Sequence, residues 1–599
     1  MRKRFTRVYV WAPLLALVCL TFVGVSVLSQ GSGGWPQWAQ NPQHTGFLNV
    51  VGQNLNNNLA NIVYDPLVPD EMQGVVPVFG EKALLVHYQT PLVDGNDVFM
   101  ESKAGSYSTT TYSTQTWHQN RFTWQGGTLV KVWTFDSDWV APGSQNDFWE
   151  PVYHAALANG FVYDPGAGGT IFKLNRADGS VVKRINPFNN INKNRFTASP
   201  LSADSAGNVY YNVVQIAPSG TSFYSKDVVD SWLVKVGPDD SISMVSYSTL
   251  LGEATIIGDP VPAGTDQCKR SFFNSQLPWP PSPDAVPTTI TCGTQRAALN
   301  VAPAIAPDGT IYTISRGHFV TRYNYLIAVS PNLTGKWASS LRGHLNDGCN
   351  DGAVSGSILP LNGQPGGCRV GAHPGVDPGT NEPGPGRVLD DQSSTPTIAP
   401  DGTILFGAYT GYNYAQGHLM QFSPTGQFLA AFNFGWDSTP AIFAHGATYS
   451  IVIKDNHYNG GSYCGVDAFC PPDRTSSNPA SPEAFFVTQL NHNLKIEWSF
   501  QNTNKLSCTR NPDNSVTCVD DGSHPHSFEW CVNAPVVDAN GVVYANSEDG
   551  FLYAINQGGT LKQRIFQQLN LGAAYTPASL GSDGKIYSQN AGHLFAVGN

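Results

Sequence analysis

Short runs of alternating apolar and polar residues, separated by turns that contain glycine, recur along the whole chain. The two clearest are APAIAPDGTIYTIS from Ala302 and TPTIAPDGTILFGA from Thr395. Pro-x-Ile is typical of the start of a strand, where the missing proline N–H removes no ladder bond. Asp-Gly then favours a tight turn, and Thr-Ile-Tyr or Thr-Ile-Leu begins a second strand. Each phrase predicts a β-hairpin whose apolar face must pack against a neighbour.

The same pattern, in relaxed form, occurs eight times. Its copies begin at Thr90, Glu150, Ser199, Ala302, Thr395, Thr439, Ala534 and Thr576. A second strand–turn–strand phrase follows most of them, for example YLIAVSPNLTGKWASSL from Tyr325. The closest copies are 42, 44 and 49 residues apart, which is enough for four short strands each. No sustained helical period occurs outside the N-terminus, so we expect little helix. The pattern predicts an all-β protein, an eight-bladed β-propeller of four-stranded antiparallel blades.

The last repeat is one strand short. TPASLGSDGKIYSQNAGHLFAVGN supplies three strands and ends at Asn599. Since an unpaired sheet edge promotes aggregation, we expect the fourth strand to come from the N-terminal side. LANIVYDPLV, residues 59–68, is the candidate for this closing strand.

The segment WPQWAQNPQHTG, from Trp35 to Gly46, followed by eight hairpin units resembles the quinoprotein-type eight-bladed propellers with pyrroloquinoline-quinone-like (PQQ-like) repeats. The resemblance covers residues 35–599 and concerns the fold, since many members of that family bind no quinone. If the chain were a quinone dehydrogenase of this family, the resemblance would imply two adjacent cysteines beside the cofactor, an aspartate base and a bound calcium ion. This chain has no Cys-Cys pair, and it has no Cys-x-x-Cys-His signal for covalent haem. PQQ and calcium are therefore expected only under an alternative hypothesis.

The first 29 residues are typical of export. Arg2, Lys3, Arg4 and Arg7 precede an apolar run over residues 8–28, which predicts a signal peptide or a retained membrane anchor. Residues 30–599 are then one propeller domain outside the cytoplasm, whether periplasmic, secreted or anchored. Without the four N-terminal basic residues, 29 basic groups face 44 acidic ones, a net charge of −15. This charge argues against nucleic acid as a partner.

The cysteines also indicate an oxidising compartment. Nine follow Asp204, and eight of them form pairs close in sequence: Cys268 with Cys292, Cys349 with Cys368, Cys464 with Cys470, and Cys508 with Cys518. Cys531 is left over and could replace Cys508 or Cys518. The pairs lie in four predicted insertions, near residues 262–294, 343–385, 457–480 and 503–531. We expect disulfides to stabilise these insertions, which have little core of their own.

Two groups of side chains are weak candidates for metal binding. His524 and His526 could supply two ligands, but a third is missing, and a solvated loop is the simpler interpretation. Asp347 and Asp351 offer oxygen ligands for calcium, but their spacing departs from the usual calcium loop and is more typical of a turn.

Asp390 and Asp391 are weak candidates for acid–base catalysis, because they directly precede a predicted inner strand and could face the central channel. Five tryptophans before the second repeat could form a glycan-stacking surface, although packing between blades explains most of them: Trp117, Trp124, Trp133, Trp139 and Trp149.

These observations favour an exported, non-catalytic binding or scaffold propeller. Its insertions would hold a protein or glycan partner, since binding sites usually lie on loops carried by a rigid scaffold. The first alternative is a periplasmic quinone- and calcium-dependent dehydrogenase of alcohols or sugars. The second is a polysaccharide hydrolase or lyase. Acids and amides converging on the channel would favour catalysis, whereas a plug of small and apolar residues would favour a scaffold.

Overall fold

In the computed structural model of the chain, strands account for most of the ordered backbone. The described residues are 33–599 except 80–81, 83, 142–149, 219–222, 270–288, 346–375, 378–381, 384–385, 393, 410–415, 436–437, 458–483, 514, 521, 523, 531–532 and 570–575. The predicted signal peptide or anchor lies outside them. They contain two α-helices, α1 (Val68–Phe79) and α2 (Tyr247–Glu253), and none of their helices is long and apolar enough to cross a membrane. The expected low helix content is confirmed.

Eight antiparallel sheets follow one another along the chain, and each has four strand positions. Blade 1 consists of Leu92–Asp94, Asp97–Gly105, Gln115–Gln125 and Thr128–Asp136. Blade 2 consists of Ala156–Ala158, Phe161–Gly166, Thr170–Asn175 and Val181–Ile185. Blade 3 has a divided inner strand, Arg195–Thr197 and Ser202–Ala203, then Val209–Ile216, Val228–Val236 and Ile242–Ser246. Blade 4 likewise has Gln295–Ala297 and Ala304–Ile305, then Ile311–Gly317, Asn324–Val329 and Gly335–Ser340.

The second half of the chain repeats this plan. Blade 5 consists of Thr397–Ile398, Ile404–Tyr409, Gln416–Phe422 and Phe428–Gly435. Blade 6 consists of Ala441–His445, Thr448–His457, Ala484–Asn491 and Ile496–Gln501. Blade 7 consists of Val536–Val537, Val543–Asn546, Phe551–Asn556 and Thr560–Phe566. Blade 8 consists of Ser579–Leu580, Ile586–Asn590, His593–Gly598 and the N-terminal strand Asn57–Val63. All eight predicted repeats correspond to blades.

The shared Asp-Gly phrase forms the first hairpin turn of its blade, as predicted. In blade 4, the Asp308 side chain accepts the Thr310 N–H at 2.9 Å, and Gly309 has φ +81°. In blade 5, Asp401 accepts the Thr403 N–H at 3.0 Å in the same way. The aspartate thus satisfies a turn N–H, while glycine supplies the left-handed conformation.

The ring closes through the predicted N-terminal strand. Asn57–Val63 pairs antiparallel with His593–Gly598, so both ends of the chain belong to blade 8. The candidate range, residues 59–68, was partly right: the strand begins two residues earlier and stops at Val63, and α1 begins at Val68. Blades 1 and 8 are neighbours, since Trp124 Nε1 donates to the Tyr587 hydroxyl at 2.8 Å.

Tryptophans on three outer strands connect their blades to the next one. Each indole lies against a turn glycine of the following blade, whose missing side chain makes room for it. The pairs are Trp133 with Gly179, Trp337 with Gly426, and Trp498 with Gly559. Two of the indoles also donate to a turn carbonyl, Trp133 to Arg176 at 3.0 Å and Trp337 to Pro424 at 3.2 Å.

The two ends of the ring differ in the length of their connections. At one end, which we call the turn face, strands one and two and strands three and four are joined by two to five residues. At the other end, the insertion face, lie the connections from strand two to three and from each blade to the next. The four predicted insertions fall within such connections: Ser246 to Gln295, Ser340 to Thr397, His457 to Ala484 and Gln501 to Val536.

Additional elements decorate the insertion face. α1 lies in the connection from blade 8 to blade 1, and α2 follows the outer strand of blade 3. Thr255–Ile257 adds a parallel strand outside blade 4. Three short hairpins lie in the insertions: Gln267–Lys269 with Thr289–Thr291, Val376–Asp377 with Glu382–Pro383, and Leu506–Arg510 with Val516–Asp520.

Candidate functional site

Residues 35–53, which we call the collar, run around the turn face and touch every blade in order. Trp35 exchanges backbone hydrogen bonds with Val93 of blade 1, and the collar then reaches each later blade through the backbone or the Gln37 side chain. The last contact is Gln53 N–H to the Gly584 carbonyl of blade 8, at 2.7 Å. The collar contains the WPQWAQNPQHTG segment. That motif therefore forms a belt across the inner strands.

Collar side chains fill the channel axis. Trp38 is 2% exposed, contacts Ala302 and Ala534, and donates Nε1–H to Thr439 Oγ1 at 3.3 Å. His44 is fully buried, with Nδ1 2.9 Å from the Pro396 carbonyl oxygen. Burial lowers the pKa of His44 to about 4, so it is neutral at pH 7. This part of the channel is a packed plug.

A cluster of buried charges lies toward the insertion face, between α1 and blades 1 and 2. Lys103 Nζ is 2.6 Å from Glu71 Oε1, 2.8 Å from Asp65 Oδ2 and 3.2 Å from Glu150 Oε2. Glu101, two residues before the lysine, is also buried. We call Asp65, Glu71, Glu101, Lys103 and Glu150 the Lys103 cluster. It fastens α1 to the ring.

The Lys103 cluster contains more carboxyl groups than cations. Burial raises the pKa values of Glu71, Glu101 and Glu150, and this effect exceeds the opposing attraction of Lys103. Burial alone lowers the pKa of Lys103, but Asp65, Glu150 and Glu71 outweigh it, so the pKa lies well above its usual value. The lysine is therefore charged at pH 7, and part of the carboxyl set favours the protonated form.

His87 links this region to the far side of the channel. Its Nδ1 lies 2.9 Å from the Glu150 carbonyl oxygen, and its Nε2 lies 2.9 Å from the Asp391 carbonyl oxygen. Burial lowers the pKa of His87 to about 4. A neutral imidazole carries one N–H, so His87 donates to one of these two carbonyl oxygens and contacts the other, between blade connections on opposite sides of the ring.

Of the predicted catalytic pair, Asp390 is the better defined. Its carboxylate is 2.5 Å from Arg296 Nη2 and 3.1 Å from Arg316 Nη1, and it accepts the Tyr224 hydroxyl. Burial alone raises the pKa of Asp390, but the two guanidinium groups overcome this and hold it well below its usual range. An ionised, fully paired aspartate does not suit a proton donor. Asp391 is buried beside it, and its carbonyl contacts His87.

Of the four candidate metal ligands, only His524 and His526 are described. His524 stacks on Phe528 with ring centres 3.9 Å apart, and His526 is exposed. Asp347 and Asp351 lie outside the described residues. Among the residues that are described, no group of three or more His, Cys, Asp or Glu side chains could hold a metal ion.

Two of the predicted disulfides are confirmed. Cys268 is bonded to Cys292, and Cys508 is bonded to Cys518. The second bond joins directly paired residues of the Leu506–Arg510 and Val516–Asp520 hairpin. The predicted pairs of Cys349 with Cys368 and of Cys464 with Cys470, and the position of Cys531, lie outside the described residues.

The tryptophans before the second repeat serve packing wherever they are described. Trp117 and Trp139 are buried edge to face, with ring centres 4.9 Å apart. Trp124 contacts blade 8 and Trp133 contacts blade 2, and Trp149 lies outside the described residues.

Two observations concern the alternative hypothesis with PQQ and calcium. The channel axis is occupied by Trp38 and His44, and the carboxylate of Asp390 is already neutralised by two arginines.

Sequence reasoning missed the Lys103 cluster entirely. Its members are separated by up to 85 positions and lie in a loop, a helix, a strand and a blade connection. The one signal in the sequence is Lys103 itself, a charged residue in the strand Asp97–Gly105. It lies two positions after Glu101, so the two side chains share one face of the strand.

Neither a protein-family model nor a curated protein sequence matches the chain. Among solved structures, it is similar to BamB from Moraxella catarrhalis, with a TM-score of 0.36 and 11% identity over 85% of this chain and 93% of that one. It is also similar to the quinohemoprotein alcohol dehydrogenase ADHIIG from Pseudomonas putida HK5, with a TM-score of 0.43 and 9% identity. That match covers 95% of this chain and 76% of the other. These values concern the fold alone and indicate no shared activity. The strand pairing itself establishes the architecture: the chain is an eight-bladed β-propeller.

Proposed function

We propose that the protein is an exported, non-catalytic propeller whose insertion face binds a protein or glycan partner. The observation that supports this most is the segregation of the long connections. Every connection on the turn face has two to five residues, whereas all four predicted insertions belong to the opposite end. A rigid ring that presents variable loops on one side is a common arrangement for recognition.

The filled channel supports the same proposal. Trp38 and His44 occupy the axis near the turn face, and His87 ties blade connections together nearer the insertion face. These buried contacts make the ring a rigid support. The two disulfides fit an oxidising compartment and hence an extracytoplasmic location.

A photo-crosslinking amino acid tests the proposal in the native host. At Val519, which is 58% exposed on the Leu506–Asp520 hairpin, we expect a discrete cross-linked product. At Val182, which is 52% exposed on the outer strand of blade 2, we expect none. Equal products from both positions would contradict a binding role for the insertion face.

Loop deletion is the second test. Removing residues 262–294 takes out Cys268 and Cys292 together, so no unpaired thiol is left from that disulfide. We expect this deletion, combined with removal of residues 343–385, to abolish the cross-link at Val519 while the ring still melts cooperatively. If every interaction survived both deletions, the proposal would be wrong.

The alternatives have their own assays. A bound cofactor spectrum after addition of micromolar PQQ and calcium, with dye-linked oxidation of alcohols or sugars, would establish the dehydrogenase instead. Glycan cleavage that is lost in Asp390→Asn or Asp391→Asn would establish the hydrolase or lyase.

A further inference from the structure

A pocket of about 640 Å³ opens on the turn face, beneath blades 1 to 4. The collar forms one side, and the first hairpin turns of the four blades form the other. Its size is within the range of small-molecule sites in proteins. The pocket lies at the end of the ring opposite the proposed partner surface, so a ligand could bind there whether or not the insertion face holds a partner.

Three carboxamide side chains line this pocket in fixed orientations. Each donates an amide N–H to a backbone carbonyl: Gln40 to Gly34 at 3.2 Å, Gln43 to Ile305 at 2.7 Å, and Asn159 to Gly207 at 2.8 Å. Because the nitrogen is fixed, the oxygen of each amide is oriented as well. None of the three oxygens accepts a hydrogen bond from a described residue, and none is sealed from solvent. The pocket therefore presents three ready acceptors.

The backbone at Gln40 is unusual, with φ +80° in the left-handed region that residues other than glycine rarely adopt. Asn159 has φ +53° as the first residue of the Asn-Gly hairpin turn of blade 2, where this conformation is favoured. A conformation like that of Gln40 persists where surrounding contacts impose it, and such conformations are frequent at ligand sites. Here the collar contacts and the blade 2 turn hold both residues in position.

Three charged residues line the pocket, and each already has hydrogen-bond or ion-pair partners. Arg176 forms ion pairs with Asp94 and with Asp97, the latter at 3.1 Å. Asp204 accepts hydrogen bonds from Ala206 N–H, Asn208 and the Tyr210 hydroxyl. An anion would find no free cation here, because Arg176 is already paired. No described cation pairs with Asp204, but each of its carboxylate oxygens already accepts two hydrogen bonds. The open amide acceptors suit an uncharged ligand that carries several donors.

We propose that this pocket binds a neutral saccharide, whose hydroxyl groups donate to the oxygens of Gln40, Gln43 and Asn159. Half-buried Phe161 supplies apolar wall for the sugar ring. Sugar hydroxyls are uncharged, and one saccharide carries several of them, so a single ligand can donate to more than one of the three oxygens.

Saturation-transfer NMR and calorimetry on the full-length protein test this proposal. The probes are glucose, galactose, N-acetylglucosamine and maltose, with spermidine and glucose 6-phosphate as charged counterparts. We expect saturable binding of at least one neutral sugar at about millimolar concentration. Gln40→Met and Asn159→Gly should each weaken it about fivefold, the effect of one lost hydrogen bond.

Gln53→Met is the matched control. Gln53 also belongs to the collar, but it lies outside the pocket and its oxygen already accepts the Asn599 N–H at 2.8 Å. We expect this variant to bind like the unaltered protein. Melting temperature verifies that each variant is folded.

Three results would overturn the proposal. The first is the absence of binding of any neutral sugar to the unaltered protein at about 10 mM sugar. This result does not depend on whether a variant folds. The second is sugar binding that is equally strong in Gln40→Met and Asn159→Gly, which would place the site elsewhere. The third is tighter binding of spermidine or glucose 6-phosphate than of any neutral sugar.

Discussion

Replacing Lys103 by methionine should weaken the attachment of α1 to the ring. Methionine preserves most of the length and apolar stem of the side chain but removes the ammonium that contacts Asp65, Glu71 and Glu150 at 2.6 to 3.2 Å. All four of these side chains are at most 6% exposed, so water cannot replace the lost cation. Removing one partner of a buried ion pair destabilises a protein by about 3 to 5 kcal/mol. Since three carboxyl groups lose their partner here, we expect a loss at the upper end of that range, about 5 kcal/mol.

The loss should depend on pH. Burial raises the pKa values of Glu71, Glu101 and Glu150 in the folded protein. The stability that these protonated carboxyl groups contribute is complete below their unfolded pKa of about 4.3 and is lost as the pH rises through the folded pKa values. Without Lys103, the cluster has no cation to stabilise their ionised forms. We therefore expect Lys103→Met to be more destabilising at pH 8 than at pH 5.

Calorimetric melting and hydrogen exchange of the α1 amides measure the effect globally and locally. Lys183→Met is the control, because Lys183 forms a surface ion pair with Asp240 at 3.3 Å and its side chain is 49% exposed. Such pairs contribute about 0 to 1 kcal/mol. Adding Glu71→Gln to Lys103→Met should restore part of the stability, since it removes one uncompensated carboxyl group. Equal melting of Lys103→Met and Lys183→Met, or an equal loss of stability at pH 5 and pH 8, would contradict this prediction.

Three further changes can be tested in the same way. Gly46→Ala would place a methyl group 2.7 Å from the Pro535 carbonyl oxygen, and we expect a loss of about 1 to 3 kcal/mol in calorimetric melting; an unchanged transition would refute the tight collar contact. Asp390→Asn should cost about 3 kcal/mol at pH 7 and less below pH 4, because the carboxylate has a depressed pKa and its contribution disappears as acid protonates it; a loss independent of pH would contradict this. Replacing Cys508 and Cys518 by serine should increase hydrogen exchange of their hairpin while leaving ring melting unchanged, and a large fall in melting temperature would show that the hairpin supports the ring.

The repeated architecture could be predicted from the sequence because its determinants are local. Asp308-Gly309 and Asp401-Gly402 specify their own turns through hydrogen bonds within a few residues. α1 was missed because VPDEMQGVVPVF contains Gly74 and Pro77, which disfavour a helix, although Val68, Met72, Val75 and Phe79 recur at helical spacing. Tertiary contacts, including the Lys103–Glu71 ion pair, offset its poor helix propensity.

The arrangement of polar side chains could not be predicted in the same way. Asp390 was selected for its position before an inner strand, and it is indeed buried there. Its partners Arg296 and Arg316 are 94 and 74 positions away, in a different blade, and nothing local to the aspartate indicates them. The same distance problem applies to the pocket on the turn face, where Gln40 and Asn159 are brought together only by the closed ring.

The collar also constrains the order of assembly. Residues 35–53 contact inner strands from Val93 to Gly584, and Asn57–Val63 pairs with the final strand, so these first segments lack most of their partners until the last blade has been made. During synthesis, the earliest-emerging segments must wait while hundreds of residues are added. Such long-range pairing slows folding and leaves strand edges exposed to other chains. Truncation at the C-terminus, even by the length of one strand, would therefore leave the N-terminal strand without its partner and open the ring at both ends of the sequence.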